Sequence, residues 1–167
     1  MLNIVARTDC SGPGNPVIDD YVALPFDLRQ KSRLRITLQS GREAALYLER
    51  GTILRGGDCL QAEDGRVIQV QAAEEAVMDV TASSPQALTR AAYHLGNRHV
   101  PLQVGEGWLR LEQDHVLKEM LLGLDVNVMD LQAPFEPEAG AYGGGHRHHH
   151  DDETANLRQP ARLKKYG

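Results

Sequence analysis

The chain has 167 residues, 41% hydrophobic and 25% charged, so a folded protein of one or two small domains is expected. Its formal net charge of -5 argues against nucleic acid as the main partner, because phosphate binding needs a basic surface. No apolar run is long enough to span a bilayer. The opening MLNIVARTDC lacks the basic start and apolar core of an export signal, so a cytoplasmic location is expected.

The first half reads as β. In RLRITLQ (33–39), Leu34, Ile36 and Leu38 alternate with Arg33, Arg35, Thr37 and Gln39, the period of a half-buried strand. SGRE turns the chain, and EAALYL (43–48) returns beside it as a hairpin. GGD (56–58) and EDG (63–65) are further turns, and CLQA and RVIQVQA are short strands around them. Cys10 and Cys59 are the only cysteines. Far apart in sequence and in no CxxC pair, they read as two reduced thiols.

The texture changes near Glu74–Glu75. AVMDVTA (76–82) is a strand, followed by SSPQALTRAAYHLGN. There Ser84 is the N-cap, Pro85 the first helical residue and Gly96 the residue past the end. Leu88, Ala91, Ala92 and Leu95 share one helical face. VPLQV and GWLRLE are strands around the turn GEG. Asp114 caps a second helix, HVLKEMLLG, expected to bury Val116, Leu117, Met120 and Leu121. DVNVMDL is the last strand. The fold class is therefore α+β: an all-β N-terminal domain (1–74), a ferredoxin-like βαββαβ domain (75–133) and a flexible His-containing C-terminal tail (134–167).

The chemistry concentrates late in the chain. GGGHRHHHDDE (143–153) places His146, His148, His149 and His150, four of the seven histidines, before three acids. Imidazole suits nickel, copper, zinc and iron, and carboxylates add harder oxygen ligands. A loose tract of this kind imposes no single geometry, so it is expected to hold several ions weakly and release them easily. Arg147 interrupts the tract and further sequence follows, unlike an expression tag. The basic end (Arg158, Arg162, Lys164, Lys165) reads as a solvated end.

His94 and His99 are five apart, off a common helical face, and form no i, i+4 chelate. His99 lies in GNRHVPLQ, between a helix and a strand, where a scaffold can present a functional side chain. One histidine is a poor metal site. A symmetric dimer would supply a second His99 about its two-fold axis.

The segment LPFDLRQKSRLRITLQSGREAALYLERGTILRGGDCLQAEDGRVIQV resembles the N-terminal domain of UreE-type urease accessory proteins, the nickel metallochaperones of urease maturation. AYHLGNRHVPLQV is similar to that family's metal-site segment, and the His tract follows where the family commonly has one. The likeness runs from about residue 20 to residue 150. It rests on the joint occurrence of RQKSR, EDGRV, GNRH and a histidine tail. The resemblance implies an N-terminal domain similar to a peptide-binding domain of heat-shock chaperones and a metal-binding domain that dimerises head to head. His99 would be the interfacial nickel ligand shared by two subunits. His146, His148, His149 and His150 would complete the shell and add capacity. The cargo would be Ni2+, with Zn2+ or Cu2+ as competing ions. The partners would be the urease accessory GTPase and, through it, the apo-urease complex. Some members carry two histidines around the start of the second helix. Here Gln113 and His115 stand there, so His115 is a weaker candidate for an auxiliary site.

No nucleophile–base pair, phosphate loop or HExxH appears, so no enzyme is expected. Two other readings remain. One is a non-metal adaptor whose β domain binds a peptide and whose histidines are incidental. The other is a metallohydrolase, which needs a closed ligand shell with an open water position.

Overall fold

The computed structural model describes residues 1–11 and 14–140. The described residues are built on two sheets. The first has six strands: β1 (Leu2–Thr8), β2 (Asp20–Leu24), β3 (Arg33–Thr37), β4 (Glu43–Tyr47), β5 (Cys59–Ala62) and β6 (Val67–Ala72). Their order in the sheet is β2-β6-β5-β1-β4-β3. The short helix α1 (Phe26–Arg29) follows β2. The hairpin read from the sequence pairs Leu34 with Leu46 and Ile36 with Ala44. Ile36 and Leu38 turn inward to a core with Ile4, Leu46, Leu60 and Ile68, while Arg33, Arg35 and Thr37 stay exposed.

The second sheet contains β7 (Glu74–Thr81), β8 (Gln103–Gly105), β9 (Trp108–Glu112) and β10 (Asn127–Pro134), in the order β10-β7-β9-β8. Helices α2 (Pro85–Asn97) and α3 (His115–Leu122) complete a β-α-β-β-α-β run. Both caps follow the sequence: Ser84 accepts from the Ala87 amide at 3.2 Å and Asp114 from the Leu117 amide at 2.8 Å. Ala91, Leu95 and Leu121 pack on Met78, Val80, Leu109 and Leu111, which share one sheet face because strand side chains alternate. Val116 departs from expectation: it is 60% exposed, since the buried stripe of α3 runs through Leu117 and Leu121.

Three further expectations are corrected. The cysteines do not stay apart. β1 and β5 are antiparallel neighbours with Thr8 opposite Cys59, so the residues just past β1 meet the start of β5. Cys10 and Cys59 are joined by a disulfide with their Cα atoms 6.1 Å apart. Gly96 does not lie past the end of α2, which runs through Asn97. The tail also does not begin at residue 134. β10 includes Pro134, and Phe135 is fully buried with Phe26, Val77 and Ala133, its ring 5.6 Å from that of Phe26 and edge-on. An aromatic ring of this size supplies the apolar burial that the Pro- and Gly-rich composition had concealed.

Phe135 opens a strap, residues 135–140, that joins the two sheets. Arg29 is completely buried. Its guanidinium donates to the carbonyls of Leu24, Leu54 and Phe135 and, at 2.8 Å, to the carboxylate of Glu136. Arg55 reaches Glu136 at 3.3 Å and the Pro137 carbonyl at 2.7 Å, and the Gly56 amide donates to Glu136 at 2.9 Å. A buried cation is tolerated here because every donor edge faces an oxygen.

Acids crowd the same junction. The Phe26 amide donates to Glu75 at 2.8 Å. Desolvation, then the charges of Glu75 and Asp27, push the Glu112 carboxyl above its ordinary value of 4.5. Just above that value the folded chain holds a proton that the unfolded chain has released, so this group's contribution to stability falls as pH rises. Glu112→Gln should therefore raise the melting temperature slightly at pH 7, a small gain because the carboxyl is exposed and screened, and the advantage should disappear near pH 4. Thermal melts at both values check this.

Candidate functional site

His99 sits at the C-terminal end of α2 with φ at +55°. The backbone there closes in two hydrogen bonds: the His99 amide to the Gly96 carbonyl at 2.9 Å and the Val100 amide to the Leu95 carbonyl at 3.3 Å. This is a Schellman termination, in which the residue after the C-cap adopts the left-handed conformation. Glycine usually occupies that position because a Cβ is strained there. An imidazole stands in its place, exposed to solvent. The strain persists because Leu95 is buried beneath the turn and fixes where the helix ends.

His99 borders an open groove between the two sheets, together with Val100, Pro101, Arg55, Pro137 and Glu138. The strap forms one wall. The Glu138 amide donates to the Leu102 carbonyl at 2.8 Å and the Glu136 amide to the Gln103 side chain at 2.8 Å. Gly140, the last described residue, also lines this groove. The described part of the strap thus ends in the groove that His99 borders.

Among the described residues, no three His, Cys, Asp or Glu side chains converge in an arrangement that could hold a metal. His94 lies one turn earlier on α2, its ring 5.4 Å from the Tyr93 ring. His115 is the first residue of α3 and borders a different concavity with Gln113, Asp114, Lys118 and Asp130. The Lys118 ammonium rests on the Asp130 carboxylate there. That lysine neutralises the one nearby strand carboxylate and repels a cation. His146, His148, His149 and His150 lie outside the described residues.

Sequence reasoning missed the residues that set the strap in place: Arg29, Arg55, Gln103 and Glu136. The only signal was positional, since Arg29 belongs to the RQKSR run already singled out. Their contacts with the strap span 33 to 107 residues of sequence.

The comparisons with known proteins converge. The domain family described as "UreE urease accessory protein, N-terminal domain" matches residues 5–73. "UreE urease accessory protein, C-terminal domain" matches residues 75–159. A protein of Cupriavidus necator named "Urease accessory protein UreE" is 62% identical over 130 residues, covering 78% of this chain and 68% of its own. The same name belongs to a protein of Alkalilimnicola ehrlichii, 55% identical over 144 residues and 86% of both chains. It also belongs to one of Cupriavidus pinatubonensis, 61% identical over 130 residues, 78% of this chain and 59% of that one.

Proposed function

The chain belongs to the UreE family of urease accessory proteins, which are chaperones of urease maturation and not enzymes, and from that premise we propose that it carries Ni2+. In this reading His99 is the central ligand, and a second copy of the chain supplies another His99 across a two-fold axis. His146, His148, His149 and His150 complete the shell and add weaker sites. His115 contributes little. The ion passes to a urease accessory GTPase and through it to apo-urease, in the cytoplasm. The βαββαβ half acts as the ferredoxin-like metal-binding and dimerising unit, and the β half meets partners.

The observation that carries this reading is the exposed imidazole of His99 in a backbone position that favours glycine, beside the strap that leads to the His tract. His146 is six residues past Gly140, a span that reaches roughly 20 Å when extended, enough to return to the groove. Strain retained at an exposed residue points to a role for its side chain. A metal that takes imidazole from two copies and from the tract needs no preformed cage within one chain.

His99→Gly separates structure from function. Glycine relieves the left-handed turn, so the metal-free variant should be more stable by about 1 kcal/mol. Calorimetric titration should nevertheless show that the tightest Ni2+ is gone while weaker sites survive. His94→Ala should leave the tightest site intact. If the His99 variant keeps the high-affinity ion, His99 is not the central ligand. If it loses nothing and urease activation in cells is normal, the adaptor reading gains.

A further inference from the structure

We propose that Cys10 and Cys59 form a reversible thiol–disulfide site that exchanges with low-molecular-weight dialkyl disulfides of the glutathione class. The inference is independent of the nickel reading. The two residues are 49 apart in sequence, yet their Cα atoms lie 6.1 Å apart, inside the range that a disulfide spans without backbone movement. The ladder between β1 and β5, where Thr8 faces Cys59, ends two residues before Cys10 and brings that stretch of chain to the start of β5. The fold therefore carries Cys10 to Cys59 across 49 residues of sequence.

The two thiols differ in access. Cys59 is 2% exposed and belongs to the central strand β5. Cys10 is half-buried and lies past the end of β1. Both line an open surface concavity with Arg7, Asp58, Ser11 and Gln69. Arg7 is 52% exposed even while it holds Asp58 at 3.0 Å, so its guanidinium can also meet a carboxylate-bearing disulfide entering from solvent. This asymmetry assigns the roles. Cys10 loses its proton to water and its thiolate attacks one sulfur of the small disulfide. That S–S bond breaks, one small thiolate leaves and is protonated, and a mixed disulfide remains on Cys10. The Cys59 thiolate, its proton likewise passed to water, then attacks the Cys10 sulfur and expels the second small thiol. The two protein thiols lose two electrons, and the external disulfide gains them.

The bond closes on the loop that grips the strap. Asp58 accepts from the Arg55 amide at 2.8 Å, and the Arg55 side chain holds Glu136 and Pro137. Oxidation thus ties the start of the chain to the same loop that anchors the strap.

The test uses full-length protein treated with a chelator, so that bound ions cannot catalyse oxidation. It is equilibrated in mixtures of reduced and oxidised glutathione, quenched with an alkylating reagent and weighed. The expected result is a single transition from two alkylated thiols to none, reversed by a small dithiol under native conditions. Cys59→Ala, which keeps a small apolar group in the buried position, should trap one glutathione on Cys10. Cys10→Ser should react at Cys59 roughly tenfold more slowly or worse, because the remaining thiol is buried. The proposal is overturned if both thiols stay alkylatable in the most oxidising mixture. It is equally overturned if the oxidised protein carries two glutathiones, or if the disulfide resists the dithiol until the protein is denatured.

Discussion

Arg29→Met should lower the melting temperature by on the order of 10 °C, the largest effect expected of any single substitution in this chain. The guanidinium is fully buried and meets four oxygens from three segments of the chain. Removing it takes the side-chain donor from the carbonyls of Leu54 and Phe135, leaves Leu24 with only the Ala73 amide, and leaves Glu136 with Arg55 and the Gly56 amide. Breaking a buried ion pair by deleting one partner costs about 3–5 kcal/mol. Arg29→Lys should rescue little, because an ammonium cannot reach diverging oxygens with a planar fork. Glu136→Gln should cost less than Arg29→Met. It keeps an oxygen for Arg29 and Gly56, although the buried cation loses its counter-charge. Thermal melts of the three variants check the order. A loss of under 2 °C for Arg29→Met would show that the buried cation is not what holds the strap.

Phe135→Ala should be nearly as costly, about 3–5 kcal/mol, because a completely buried ring between the sheets leaves a cavity that rigid neighbours cannot fill. Its contacts come from both halves: Phe26 from the first, Val77 and Ala133 from the second. The variant should therefore loosen the junction before either sheet melts, and hydrogen exchange should rise first at the Glu138 amide, which is bonded to Leu102. The two substitutions should not add. Arg29 donates to the Phe135 carbonyl and stacks over the Phe26 ring at 5.4 Å, so one change disturbs what the other removes. Additive losses in a double-mutant cycle would place the two residues in separate structural units.

Neither residue announced itself in the sequence. Phe135 stands in a stretch, APFEPEAG, whose prolines and glycine read as tail. Arg29 entered only as the first residue of the RQKSR run, just before the first recognised strand. β1 and β2 were also unassigned. β1 carries an irregularity between Ile4 and Ala6 that breaks the alternation, and β2 has five residues paired in parallel with β6, a partner more than forty residues on.

Legible from sequence alone were the elements whose signals are local. The alternation in RLRITLQ specified both the strand and its buried face, since a period of two admits one inward set. Ser84, Pro85 and Asp114 marked both longer helices at their first turns, because a cap bonds to an amide three residues away. The dense histidine tract and the joint motifs brought the family within reach. What only the tertiary structure decided were the contacts made across long stretches of chain. Arg29 meets Glu136 across 107 residues, and Cys10 meets Cys59 across 49. The left-handed turn at His99 belongs with these. Gly96 was the obvious stop, but the helix passes through it and ends where Leu95 is buried against the sheet. Periodicity and capping report on neighbours within a turn or a strand, whereas these features depend on which distant surfaces the packed sheets bring together.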